Sequence, residues 1–144
     1  VTGVGASGTF TRATVDGVAT FADIVPTAPS TAVQLSASAP GVTAPAPTAP
    51  FRAIGPAASL SIDSLPPTRT AGQVFSPAIV VSVRDAVGNV SAGTNVVVSV
   101  RALPGVTTDT LQGTTTVATS TGRARFEGVF LRWVGSYSFE ATAP

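Results

Sequence analysis

An internal repeat is the feature that most constrains the fold of this chain. The segment GTFTRATVDGVATF, which begins at position 8, returns as GTTTVATSTGRARF from position 113, an offset of 105 residues. Gly17 then corresponds to Gly122, and Phe21 corresponds to Phe126. Further on, the Ala-Pro pair at position 39 corresponds to the pair at position 143, an offset of 104. A period of this length is that of a whole small domain, so the sequence predicts a tandem array of domains.

The phase of the repeat predicts two incomplete domains. The fuller copy begins near Ala57, after the Gly55-Pro56 break, and the copy before it would have to begin upstream of residue 1. We therefore expect residues 1–55 to be the C-terminal part of one repeat. Residues 56–144 are expected to form a second repeat that lacks its last strand, because residues 41–54 have no counterpart after position 144. Either the sequence is a piece of a longer array, or neighbouring chains supply the missing strands.

The pattern of residue types predicts an all-β fold. Runs rich in Val, Thr, Ile and Phe alternate with Gly, Pro, Asn and Asp at intervals of roughly ten residues, which is typical of a β-sandwich or barrel. Helical periodicity is missing. Alternation places Ile79, Val81 and Val83 on one face, and points Ala124 and Phe126 inward. The predicted strands are 51–54, 59–63, 77–84, 94–102, 111–118 and 136–142.

Composition argues against several classes of function. The net charge is only +1, and the eight basic residues are scattered among seven acidic ones, which does not favour a nucleic-acid partner. Cys, Met and His are all absent, so disulfides, thiol chemistry and the commonest general base are excluded. No run of about 18 apolar residues occurs, so we expect no insertion into a membrane.

The polar residues do not predict an active site or a cofactor. A serine or threonine nucleophile would lack its usual base, and the carboxylates of Glu127 and Glu140 have no evident companion, so we expect no enzyme activity. Asp63, Asp85 and Asn89 offer oxygen ligands that a calcium ion could use at a repeat junction. Their spacing matches no EF-hand-like loop, and such residues in turns usually bond their own backbone. We therefore predict no metal or cofactor site.

Four apolar residues are the candidates for an interface. When the two copies are aligned, Phe130 corresponds to Val25 and Trp133 corresponds to residues 27–29. The fold therefore does not need aromatic rings at these positions. Trp133 is then expected either to contact another repeat or chain, or to cover the end of its own sandwich. Phe51 and Ile54 belong to the predicted strand that the second copy lacks, and are candidates for contacts between chains.

The residues AGQVFSPAIVVSVRDAVGNVSAGTNVVVSV, LQGTTTVATSTGRARFEGVFL and GSYSFEATAP resemble the bacterial immunoglobulin-like repeats of invasin- and intimin-type surface proteins. The resemblance covers residues 57–144 well and residues 8–54 as a trailing half. It implies an immunoglobulin-like Greek-key β-sandwich in tandem repeat. Val33 stands where the second copy has Tyr137, so a tyrosine-corner hydrogen bond cannot form in the first copy.

The resemblance implies a non-catalytic structural repeat, a stalk or adhesin spacer, at the bacterial cell surface or secreted from the cell. Its partners would be neighbouring repeats or copies of the same chain. One alternative is a subunit of an extracellular filament, joined by strand complementation between neighbouring chains. Another is a binding module for a surface glycan or protein, in which Trp133 and Phe130 form a stacking platform. The sequence identifies no ligand.

Overall fold

A computed structural model describes residues 5–92, 96–104 and 111–143. Throughout these ranges the chain is all-β and contains no helix. It divides into two compact units, which are described separately here. The first comprises the chain up to Gly55 together with Val87–Asn89, and the second comprises Pro56–Ala86 and the chain from Val90 onward. The strands are β1 Ala6–Ser7, β2 Val25–Pro26, β3 Ser30–Val33, β4 Phe51–Ala53, β5 Ser59–Ser64, β6 Ile79–Arg84, β7 Val96–Pro104, β8 Thr116–Thr119, β9 Arg123–Phe126 and β10 Tyr137–Thr142.

In its described residues, the second unit is built from two antiparallel sheets of three strands each. One sheet has the order β5-β6-β9 and the other has the order β10-β7-β8. In the first sheet Val81 of β6 lies opposite Ile62 of β5 and Ala124 of β9. In the second, all six residues of β10 pair with β7, from Tyr137 opposite Pro104 to Thr142 opposite Ser99. The two sheets share one apolar core, which makes the unit sandwich-like.

The core of the second unit follows from alternation along the strands, which is clearest on β9. On β9, Ala124 and Phe126 are fully buried, whereas Arg123 and Arg125 are exposed. On β6, Ile79, Val81 and Val83, which alternation places on one face, are buried as well. The opposite sheet contributes buried or half-buried side chains to the same cluster, namely Val96, Val98, Ala102, Val117, Tyr137, Phe139 and Ala141. These alternations confirm the inward and outward faces that the sequence predicts.

From residue 5 onward, the first unit contains two short strand pairs, β1 with β2 and β3 with β4. Val33 on β3 is fully buried, whereas Phe10 is 52 % exposed and Phe21 is 39 % exposed. Phe126, which lies 105 residues after Phe21, is completely buried between the sheets of the second unit. The first unit therefore leaves the side chain of Phe21 accessible, whereas the second unit buries the corresponding Phe126.

Local geometry recurs at the sequence offset of 105 residues. Ser7 lies opposite Val25 in the pairing of β1 with β2, and Gln112 forms an isolated antiparallel bridge with Phe130. Gly8 and Gly113 follow these bridges, with φ of 126° and 94°. A Cβ atom at Gly8 would lie 2.3 Å from the carbonyl oxygen of Asp23, and one at Gly113 would lie 2.5 Å from that of Gly128. Both positions therefore require glycine for the same two reasons.

The predicted strands agree with the observed ones to within a few residues, with one clear exception. Only residues 116–119 of the predicted strand 111–118 belong to β8, because Gly113 turns the chain between the Gln112 bridge and that strand. The predicted start of the third strand of the second unit at Thr94 lies outside the described residues. The Asp16-Gly17 reversal is a two-residue hairpin closed by Val15 and Val18, with positive φ at both central residues.

Candidate interaction surfaces

An aromatic groove lies at one end of the second unit. It has a volume of about 460 Å³ and is lined on one side by residues 66–71 and on the other by residues 133–137. Phe75 and Phe139 form its floor in an edge-to-face contact, with ring centroids 5.6 Å apart. Trp133 stands at the rim with 65 % of its surface exposed, next to Val134 with 82 % exposed. We call this feature the aromatic groove.

Hydrogen bonds between loops hold the walls of the aromatic groove. The amide of Gly72 donates to the carbonyl of Leu131 at 2.6 Å, and the amide of Phe75 donates to the carbonyl of Val129 at 2.9 Å. The hydroxyl of Tyr137 donates to the carbonyl of Trp133 at 3.0 Å. The first two bonds tie the chain before β10 to the segment before β6, and the third lies within the chain that leads into β10.

Of the two aromatic residues of the predicted stacking platform, Trp133 lines the aromatic groove. Phe130 is half-buried and forms the bridge with Gln112, and it is not among the residues that line the aromatic groove. The rings that accompany Trp133 are those of Phe75, Tyr137 and Phe139. Tyr137 and Phe139 also pack against the core of the unit, and no local sequence pattern marks them as part of a groove. The Pro66-Pro67 pair, which contributes to the opposite wall, was the available signal for an irregular segment at this end.

The outer edge of β10 is a second candidate surface. Strand β10 is at the end of the order β10-β7-β8, with β7 on its inner side. Near its C-terminal end a cleft of about 510 Å³ opens between β10 and the start of β5, and it is lined by Leu60, Val83, Val96 and Ala141, among others. A sheet edge next to an apolar cleft offers both backbone hydrogen bonds and a place for side chains.

Phe51 and Ile54, the other two predicted interface residues, lie in and just after β4 of the first unit. Phe51 is opposite Val33, and its side chain is 41 % exposed. Ile54 is 53 % exposed. Ala53 is half-buried and opposite Ser30. The strand thus pairs through its backbone and leaves much of its apolar surface accessible.

A polar cluster covers the outer face of the sheet β5-β6-β9. The carboxylate of Asp63 accepts a hydrogen bond from the buried hydroxyl of Ser82 and one at 2.9 Å from the guanidinium of Arg84. The guanidinium of Arg123 approaches to 3.6 Å. Burial acts to raise the pKa of Asp63, but the hydrogen bonds from Ser82, Arg84 and Ser61 outweigh it, so the net pKa lies below its ordinary value of 3.8. The carboxylate of Asp63 therefore links β5 to β6 through its hydrogen bonds with Ser82 and Arg84.

The other two residues considered as calcium ligands, Asp85 and Asn89, are both buried. Asn89, which groups with the first unit, is buried and donates its side-chain amide to the carbonyls of Ser30 at 3.1 Å and Ala53 at 3.3 Å. Asp85 is buried in the second unit. Within the residues described, no group of three or more Asp, Glu, His or Cys side chains is arranged to hold a metal ion.

Exposed ion pairs join side chains that are neighbours along one strand or across a pair of strands. Arg125 and Glu127 contact each other at 2.7 Å on the outer side of β9, and both side chains are more than half exposed. On the other sheet Arg101 of β7 pairs with Glu140, its neighbour across the ladder on β10. Solvent-exposed pairs of this kind contribute about 0 to 1 kcal/mol each to stability.

In the described ranges, the chain forms no helix with the length and apolarity needed to cross a bilayer. Comparison with models of protein families, with curated proteins and with solved structures finds no match for the chain.

Proposed function

We propose that this chain is a non-catalytic structural repeat module, a stalk or adhesin spacer of a bacterial surface or secreted protein. The observation that carries the proposal is the recurrence of one local geometry at the 105-residue offset. The bridge of Ser7 with Val25 and the bridge of Gln112 with Phe130 occupy equivalent positions, and each is followed by a glycine packed against a backbone carbonyl. This recurrence supports a tandem array of one domain type.

The finer fold that we propose is an immunoglobulin-like Greek-key sandwich. Two three-stranded antiparallel sheets around a shared core support it. The hydrogen bond from Tyr137 to a carbonyl four residues earlier is of the tyrosine-corner type, which supports it further. The resemblance of residues 57–144 to invasin- and intimin-type repeats is the reason for placing the module outside the cell.

Single-molecule stretching of a polypeptide that carries several periods tests this function. A spacer array is expected to unfold one repeat at a time, and each event should release the contour length of about 105 residues, roughly 350 Å. Irregular extension without repeated steps would contradict a chain of equal domains.

A filament subunit joined by strand complementation is a second candidate function, and the outer edge of β10 favours it. Strand β4 of a neighbouring chain would pair there. Deleting residues 49–54 should then abolish assembly while leaving the β content largely intact. Unchanged polymer length by light scattering would count against this candidate.

Ligand binding is a third candidate, favoured by the exposed indole of Trp133 at the rim of the aromatic groove. Exposed aromatic rings stack on the apolar faces of sugars and on other rings. Trp133→Ala should weaken binding to a surface glycan or protein. A glycan array on which the unmodified chain binds nothing would count against a sugar ligand.

A further inference from the structure

We propose that the aromatic groove binds an acidic saccharide, in which one sugar unit carries a carboxylate, and that Arg69 recognises this carboxylate. The proposal rests on the ligand-binding candidate above and names the chemical class of its ligand. Three observations carry it: an arginine without a carboxylate partner, a groove lining without acidic residues, and the combination of aromatic and polar side chains in the groove.

Arg69 differs from the arginines on the strands of the second unit. Each of those lies beside a carboxylate of the same unit, and they are Arg84, Arg101, Arg123 and Arg125. Arg69 is exposed, lines the aromatic groove, and has no carboxylate partner among the residues that the structure describes. A guanidinium presents a planar fork of N–H donors that matches the geometry of a carboxylate. Arg69 is therefore available to a carboxylate that comes from a ligand.

The charge of the aromatic groove favours an anionic ligand. Over the ranges described, its lining includes Arg69 and no Asp or Glu. An anion in the groove would be attracted by Arg69 without meeting a like charge on the walls, whereas a cation would be repelled. The volume of about 460 Å³ falls within the range of about 300 to 1,000 Å³ that is usual for small-molecule sites.

The other side chains of the groove favour a sugar among anionic ligands. A pyranose ring has an apolar face of C–H groups and an edge of hydroxyl groups. The exposed indole of Trp133 offers a flat surface to the apolar face. Exposed polar side chains of the lining offer donors and acceptors to the hydroxyl groups, namely Thr68, Gln73 and Ser136. Arg69 and Trp133 belong to opposite walls, so a sugar in the groove would lie between them.

Binding of the full chain to a panel of immobilised oligosaccharides tests the proposal. The panel contains tetramers of galacturonate, mannuronate and guluronate and a glucuronate-containing hyaluronan tetrasaccharide, each beside its neutral, carboxyl-reduced counterpart. Tetraglutamate is included as a peptide that carries carboxylates. The variants are Arg69→Gln and Trp133→Ala. Arg125→Gln is the matched control, because it removes the same charge from an exposed side chain on β9 that does not line the groove.

The original chain is expected to bind at least one acidic tetramer about fivefold more tightly than its neutral counterpart, and more tightly than tetraglutamate. Arg69→Gln should remove this preference, whereas Arg125→Gln should keep it. Added salt should weaken binding of the acidic tetramer by the original chain more than by Arg69→Gln. Trp133→Ala should weaken binding of the acidic and the neutral tetramer alike, by about three- to tenfold.

Equal affinity for acidic and neutral tetramers would overturn the proposal, and so would a preference that survives Arg69→Gln. Binding of tetraglutamate as tight as that of the best saccharide would overturn it in favour of an acidic peptide. Failure of the ligand-binding candidate is distinguishable from these results. A chain that binds no saccharide of the panel refutes both proposals, whereas a chain that binds the neutral tetramers equally well refutes only the acidic ligand.

Discussion

The hydroxyl of Tyr137 donates a 3.0 Å hydrogen bond to the backbone carbonyl of Trp133. Tyr137 is the first residue of β10, and Trp133 stands at the rim of the aromatic groove. One bond therefore joins the start of an edge strand to the loop that precedes it. The acceptor is a backbone atom, so it remains present whatever side chain occupies position 133.

Tyr137→Phe is expected to lower the free energy of unfolding by about 1 kcal/mol, the usual net value of one hydrogen bond. Trp133→Ala is the matched control, because it keeps the acceptor and removes a side chain that is 65 % exposed. We expect the control to change stability by no more than about 0.5 kcal/mol. Urea unfolding followed by circular dichroism measures both, and the reverse order of effects would contradict the assignment.

Gly113→Ala is expected to destabilise the second unit more than Gly72→Ala does. Both glycines have positive φ, 94° and 78°, so alanine incurs backbone strain of about 1 to 3 kcal/mol at either position. Only at Gly113 would the new Cβ also lie 2.5 Å from a carbonyl oxygen, that of Gly128, whereas it meets nothing within 4 Å at Gly72. Equal decreases in the melting temperature of the two variants would show that the close approach of the new Cβ to the carbonyl oxygen of Gly128 does not affect stability.

Asp63 is expected to make stability depend on pH in the acid range. Its folded pKa lies below the ordinary value of 3.8, so its contribution is complete above that pH and is lost as the pH falls through the lower, folded value. Asp63→Asn should remove this part of the acid dependence while lowering stability at neutral pH. Urea midpoints measured from pH 7 down to pH 2 check the prediction, and parallel curves for the two proteins would contradict it.

Part of the fold of the second unit could be predicted from sequence, because apolar and polar residues alternate along some of its strands, most regularly along β9. The buried Ala124 and Phe126 between exposed arginines, and the run Ile79, Val81 and Val83, follow directly from period-two patterning. The hairpin at Asp16-Gly17 was predictable because few residues other than Asn, Asp and Gly tolerate positive φ.

The candidate sites were less predictable, because they depend on contacts between distant segments. The aromatic groove joins Phe75 to Phe139 and the Pro66-Pro67 segment to Trp133, and no local pattern encodes these pairs. The sequence favours an ordinary turn residue at Asn89. In the structure its side-chain amide donates to the carbonyls of Ser30 and Ala53. Asp63 reads as a possible metal ligand, but arginine and serine side chains already surround its carboxylate.

Sedimentation velocity of one complete repeat tests the central claim most directly. The polypeptide would run from Ala57 to Pro144 and continue with the sequence of residues 41–55, so that every proposed strand is present once. A self-contained structural module predicts a folded monomer that unfolds in one cooperative transition. Persistent oligomers of this complete repeat, or a monomer without a cooperative transition, would contradict the account.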